Sequence, residues 1–103
     1  MSHPCEDPVY VISIAAQLTG LHPQTLRLYE RLGLVSPSRI GNKNRLFSEA
    51  DVERLRQIRR FTQDMGVNLA GVEIILDLLQ RLEELQSLVD RLERKLRESG
   101  SDR

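Results

Sequence analysis

The side chains with usable chemistry gather between His22 and Arg45, and what they offer is hydrogen bonding to a polyanion and to base edges. In His22-Pro23-Gln24-Thr25-Leu26-Arg27-Leu28-Tyr29, Gln24 matches the bidentate pattern of adenine N6 and N7, and Thr25 offers a methyl to thymine or a hydroxyl to a base. Arg27 fits guanine or clamps a phosphate. Tyr29 carries a hydroxyl suited to a phosphate oxygen, and reads equally well as a half-buried core residue. His22 can reach a phosphate backbone, although a histidine at a helix start is more commonly just a cap. Further on, Arg39, Lys43 and Arg45 cluster with Asn42 and Asn44. No Ser/His/Asp set, carboxylate pair with histidine, or phosphate-cradling glycine loop occurs, so catalysis and cofactor binding are not expected. Cys5 is the only cysteine, which leaves no disulfide within the chain and no cysteine-pair metal site.

Positioning these groups requires a helix entering the major groove and a wing beside it. Val9-Tyr10-Val11-Ile12 is a short β-like run, Ser13 is placed to cap a first helix, Ile14 to about Thr19, and Gly20 to end it. Pro23 opens a second helix with His22 at its N-cap, Leu26 and Leu32 facing inward, and Gly33 as the stop. Leu34–Ile40 and Arg45–Phe47, around a Gly/Asn turn, predict a hairpin in which Pro37 tolerates only an edge strand. Ser48-Glu49-Ala50-Asp51 reads as a capping box with Asp in place of Glu. It opens a third helix with the stripe Val52, Leu55, Ile58, Phe61 and Met65, ended by Gly66, and Asn68 is set to cap a fourth.

Formal net charge is zero, but the charges are not evenly spread. Residues 21–63 hold nine Lys/Arg against four Asp/Glu, and residues 64–103 hold six against nine. That asymmetry points to a polyanion partner for the centre alone. No apolar run is long enough for a membrane span or a secretory h-region, so the expected location is cytoplasmic, on the nucleoid.

Apolar residues then fall at Ile75, Leu78, Leu82, Leu85, Val89, Leu92 and Leu96, in steps of three and four. This is a heptad seam with charged flanks. Packing back on the chain's own core would suit a wider stripe of period 3.6. A 3.5 period asks for another long helix, and a second copy supplies one, so a homodimer is expected. The fold class is therefore mainly α: a winged helix-turn-helix domain followed by a long dimerisation helix in a coiled coil. The expected divisions are a flexible tail at 1–9, the DNA-binding domain at 10–80, the coiled coil at 81–98 and a disordered tail at 99–103. Two recognition helices related by a two-fold axis call for an inverted repeat in double-stranded DNA.

Ile14-Ala15-Ala16, Gly20, Thr25-Leu26-Arg27, Tyr29-Glu30, Gly33-Leu34, Arg45-Leu46-Phe47-Ser48, Asp51-Val52, Leu55 and Ile58 resemble the DNA-binding domain of MerR-type transcription regulators. The run Tyr10–Leu18 through Leu21–Arg27, with Gln63–Val72, is similar more narrowly to the HspR heat-shock repressors. The chain departs from the MerR pattern at Leu28, where a tyrosine is usual, and around the wing arginine, where Asn44, Leu46 and Phe47 stand in for tyrosines. The resemblance implies an antiparallel coiled-coil dimer with its half-sites on one face of a bent duplex. Its HspR side implies repression of chaperone genes with a DnaK-type chaperone as co-repressor. A MerR-like activator that distorts promoter DNA, and a coiled-coil interaction module without DNA affinity, are the alternatives. With few polar residues after the long helix, induction by a metal or small molecule is not expected.

Overall fold

A computed structural model describes residues 6–40 and 44–100. The chain divides into two units, Met1–Asn68 and Leu69–Arg103. The first unit runs β1 (Pro8–Val11), α1 (Ile12–Thr19), α2 (Pro23–Arg31), β2 (Ser38–Ile40), β3 (Asn44–Ser48) and α3 (Glu49–Arg59), followed by a π-helical turn at Arg60–Asp64. The second contains one helix, α4 (Leu69–Gly100).

The hairpin forms as expected, with Ser38 opposite Leu46, Arg39 opposite Arg45 and Ile40 opposite Asn44. β1 adds to the far side of β3 in antiparallel register, giving the sheet order β1-β3-β2. This pairing has two consequences for the expected boundaries. Pro8 and Val9 are strand residues rather than part of a loose lead-in. The chain also passes straight from strand to helix, so Val11, extended at ψ 163°, is the N-cap of α1 and no side chain caps it. Ser13, the expected cap, lies inside the helix and is exposed.

The other signals act where their chemistry places them. Gly20, Gly33 and Gly66 all take the left-handed backbone, at φ 71°, 78° and 71°, which costs a residue without a Cβ little. The Ser48 hydroxyl accepts from the Asp51 N–H at 3.0 Å, and the Asp51 carboxylate accepts from the Ser48 N–H at 3.0 Å, completing the capping box. Pro23 holds the first turn of α2.

The core of this unit is aliphatic around two rings: Ala15, Ala16, Leu21, Leu26, Tyr29, Leu34, Val35, Phe47, Val52, Leu55 and Ile58 are buried. Each large side chain removed from water there contributes ~1.5–3 kcal/mol. Two expected core residues are outside it. Leu32 is 47% exposed. It stands six residues past Leu26, roughly 240° round a helix of ~100° per residue, and Tyr29 takes the inward position instead. Met65 is 63% exposed, because the helix widens into the π turn after Arg59 and the 3.6-residue stripe that buries Val52, Leu55 and Ile58 is lost. Phe61 is half-buried.

α4 is one unbroken helix of 32 residues, ~48 Å at 1.5 Å per residue. It begins directly after Asn68 and crosses the expected 80/81 division without interruption. It also continues through Gly100, past the point where the polar sequence suggested fraying.

Candidate nucleic-acid interface

The sequence of α2 sorts its side chains onto two faces. Leu26 and Tyr29 turn inward, at 0% and 6% exposure. At ~100° per residue the opposite face consists of Gln24, Arg27, Leu28 and Arg31, flanked by Thr25 on one side and Glu30 on the other. Gln24 and Arg31 are exposed, and Thr25, Arg27 and Leu28 are half-buried. Arg31 and Leu28 thus join the outward set, which the sequence had assigned to Gln24, Thr25 and Arg27. Helical phase alone identifies them once Tyr29 is recognised as inward. The Tyr29 ring belongs to the core, so only its hydroxyl remains for a phosphate.

The start of the helix is fixed by its own residues. His22 Nδ1 accepts from the Gln24 N–H at 3.0 Å. This satisfies one free donor of the first turn and makes the imidazole a cap. Its Nδ1 is occupied, so any contact His22 makes to a nucleic acid must come from Nε2.

The wing is held by a residue absent from the sequence-based set. Arg39 and Arg45 face each other directly across the hairpin, a pairing of like charges that is unfavourable without a counterion. Glu30 supplies it. Its Oε2 receives Arg39 Nη2 at 3.3 Å, and its Oε1 receives Arg45 Nε. The Glu30 and Arg45 side chains are only 19% and 25% exposed. One carboxylate on the flank of α2 therefore ties the recognition helix to both strands of the wing. The two wing arginines expected on phosphate both engage this carboxylate in the structure, which contains no nucleic acid. The register carries the clue: with Ile40 opposite Asn44, Arg39 falls opposite Arg45, whereas the turn Gly41–Asn44 read from the sequence sets Arg39 against Leu46 and hides the pairing. Asn42 and Lys43, the other two wing residues singled out, lie outside the described residues, as does Cys5.

Much of the basic surplus of the centre is engaged by the chain's own acceptors. Arg54 Nε donates to the Leu34 carbonyl, and Arg56 donates to the Leu18 carbonyl through Nε and Nη2 at 3.3 and 3.2 Å. Arg59 Nε donates to Gln63 Oε1 at 3.3 Å. Arg56 and Arg54 satisfy carbonyls at or after the ends of α1 and α2, where helices leave acceptors unpaired. Among the described residues, the cations of this stretch without such partners are Arg27, Arg31 and Arg60.

On α4 the seam is open. Leu78, Leu82, Leu85, Leu92 and Leu96 are each more than half exposed, Val89 is 40% exposed, and Ile75 is half-buried. Leu79 and Leu88 widen the apolar band on either side. No described helix is long and apolar enough to cross a membrane.

Residues 10–79 match the family described as MerR HTH family regulatory protein. The chain is 56% identical over 82 residues to the heat shock protein HspR of Streptomyces coelicolor, covering 80% of this chain and 54% of that protein. It is 41% identical over 69 residues to the HTH-type transcriptional regulator GlnR of Bacillus cereus, covering 67% and 53%. The chain thus spans about half the length of these two relatives. Among solved structures it is similar to the transcription regulator PbrR691 of Ralstonia metallidurans CH34, crystallised with lead(II), at a TM-score of 0.65 and 28% identity. That match covers 91% of this chain and 77% of the other.

Proposed function

The chain belongs to the MerR family of helix-turn-helix regulatory proteins, and from that premise we propose that it is a sequence-specific transcriptional repressor of heat-shock genes. It binds an inverted-repeat operator in double-stranded DNA as a homodimer. The observation that carries the reading is the outward face of α2: Gln24, Arg27 and Arg31 stand clear of the core on a helix whose first turn is locked by His22 and Pro23. Such a helix places its N-terminal side chains on base edges while neighbouring groups fix the register on the phosphates.

Gln24 and Thr25 choose bases. Arg27 reads guanine or clamps a phosphate, and the Tyr29 hydroxyl is left for the backbone. Glu30 sets the angle between helix and wing, so Arg39 and Arg45 serve the backbone only by loosening their hold on that carboxylate. Lys43 and Asn42, between the two strands in sequence, are read as further backbone contacts. The exposed seam from Ile75 to Leu96 supplies the two-fold partner. Likeness to HspR supports heat-shock genes as the target and a DnaK-type chaperone as co-repressor; capture of purified DnaK by the purified protein tests the latter.

Selection of bound duplexes from a random pool tests the function. We expect enrichment of an inverted repeat, and a Gln24→Ala variant that relaxes preference at one base in each half-site, with ~1–3 kcal/mol less discrimination there. A pool that shows no enrichment contradicts the reading.

A further inference from the structure

A polar cleft of about 450 Å³ opens beside the turn between α1 and α2, and the wing and recognition helix make no use of it. Gln17 and Gly20 line one side, and Arg56, Arg59, Arg60 and Asp64 line the other. Three guanidinium groups thus share an open cleft with a single lining carboxylate. Glu53 approaches Arg56 from outside, at 3.7 Å.

The three arginines are not equivalent. Arg56 is anchored on the Leu18 carbonyl and Arg59 on Gln63. Arg59 also lies flat against the turn: a Cβ on Gly20 would come within 3.3 Å of its guanidinium carbon. The turn glycine therefore serves both the left-handed backbone and the close seating of a cation three residues before α2. Arg60 is exposed and has no partner among the described residues. Both Arg60 and Asp64 belong to the π-helical turn, a distortion that recurs at functional sites.

We propose that this cleft receives a backbone phosphate of the DNA strand flanking the major groove that α2 enters, with Arg60 as its principal contact and Arg59 in support. The proposal rests on the function given above and extends it to a second backbone-holding point, at the opposite end of α2 from the Glu30-bound wing. A guanidinium fork matches the phosphodiester oxygens bidentately. The cleft's openness and polar lining suit one charged group of a polymer, rather than a small apolar molecule that needs enclosure. Its position fits as well, because the turn ahead of a recognition helix lies next to the backbone once the helix N-terminus is in the groove.

The test is a titration of wild type, Arg60→Gln and the double variant Arg59→Gln/Arg60→Gln. The probes are the duplex enriched from the random pool and a scrambled duplex, read by fluorescence anisotropy between ~50 and ~200 mM salt. We expect Arg60→Gln to weaken binding several-fold on both duplexes alike. The slope of log affinity against log salt should fall by about one, and by up to about two in the double variant. Thermal unfolding of Arg60→Gln should match wild type, since its side chain holds nothing in place. Wild-type binding with unaltered affinity and slope in both variants overturns the inference and leaves the function standing. Weaker binding with an unaltered slope also overturns it, since a lost phosphate contact must change the slope. Failure of wild type to bind either duplex overturns both.

Discussion

The two units treat the same kind of residue in opposite ways. In Met1–Asn68, apolar side chains at helical spacing go inward: Val52, Leu55 and Ile58 are at most 1% exposed. In Leu69–Arg103, leucines spaced as regularly stay in water, from Leu78 at 54% to Leu96 at 73%. The charges differ too. The first unit folds Arg39, Arg45, Arg54 and Arg56 onto a shared carboxylate and on carbonyls. The second pairs its charges along one helix, as in Arg81 with Asp77 at 3.1 Å, between side chains that are 72% and 60% exposed. Such pairs contribute only ~0.3–0.5 kcal/mol. The first unit thus satisfies itself. The second buries Val72 and Leu76 near its start, but from Leu78 onward its apolar seam is uncovered, which is the surface that the proposed partner helix would cover.

Four variants break or sharpen that contrast. The largest effect is expected from Leu82→Asp with Leu85→Asp, which puts two charges per chain into the seam. At ~1.5–3 kcal/mol for each lost apolar burial, doubled by symmetry, the dimer should weaken by more than a thousandfold. Sedimentation should then show monomers at micromolar concentration, with the spectrum of the first unit unchanged. Next, Leu55→Ala should destabilise the first unit by ~2–5 kcal/mol in denaturant unfolding, through the cavity it leaves. Ser48→Ala removes half of the capping box and should cost ~1 kcal/mol by the same measurement. The smallest effect belongs to Ser13→Ala, under ~0.5 kcal/mol, because Ser13 is exposed within α1 and caps nothing. Equal losses from the two serines would contradict the assignment of Val11 as the α1 cap.

Much of this was readable in the chain. Pro23, Gly20 and Gly33 announce the ends of α2 and its turn through backbone conformations that few other residues share. The Ser48–Asp51 box marks the start of α3, and the heptad at 75–96 identifies the long helix. What escaped depends on contacts distant in sequence. β1 pairs with β3 across more than thirty residues, and that pairing, rather than Ser13, decides where α1 begins. Glu30 had no distinguishing local pattern, and its role appears only when the hairpin register sets Arg39 against Arg45. The local surplus of basic residues suggested a freer cationic surface than exists, because composition does not say which arginines turn towards carbonyls. Met65 fell out of its stripe because a π turn breaks the period from which the stripe was read.

The central claim is that two copies joined along α4 present two α2 helices to one palindromic site. Native mass spectrometry of the protein with the selected duplex, intact and with one half scrambled, tests it most directly. The account predicts two chains on each intact duplex, and a large loss of that complex when either half-site is scrambled. One chain per duplex, or equal occupancy of intact and half-scrambled duplexes, would contradict it.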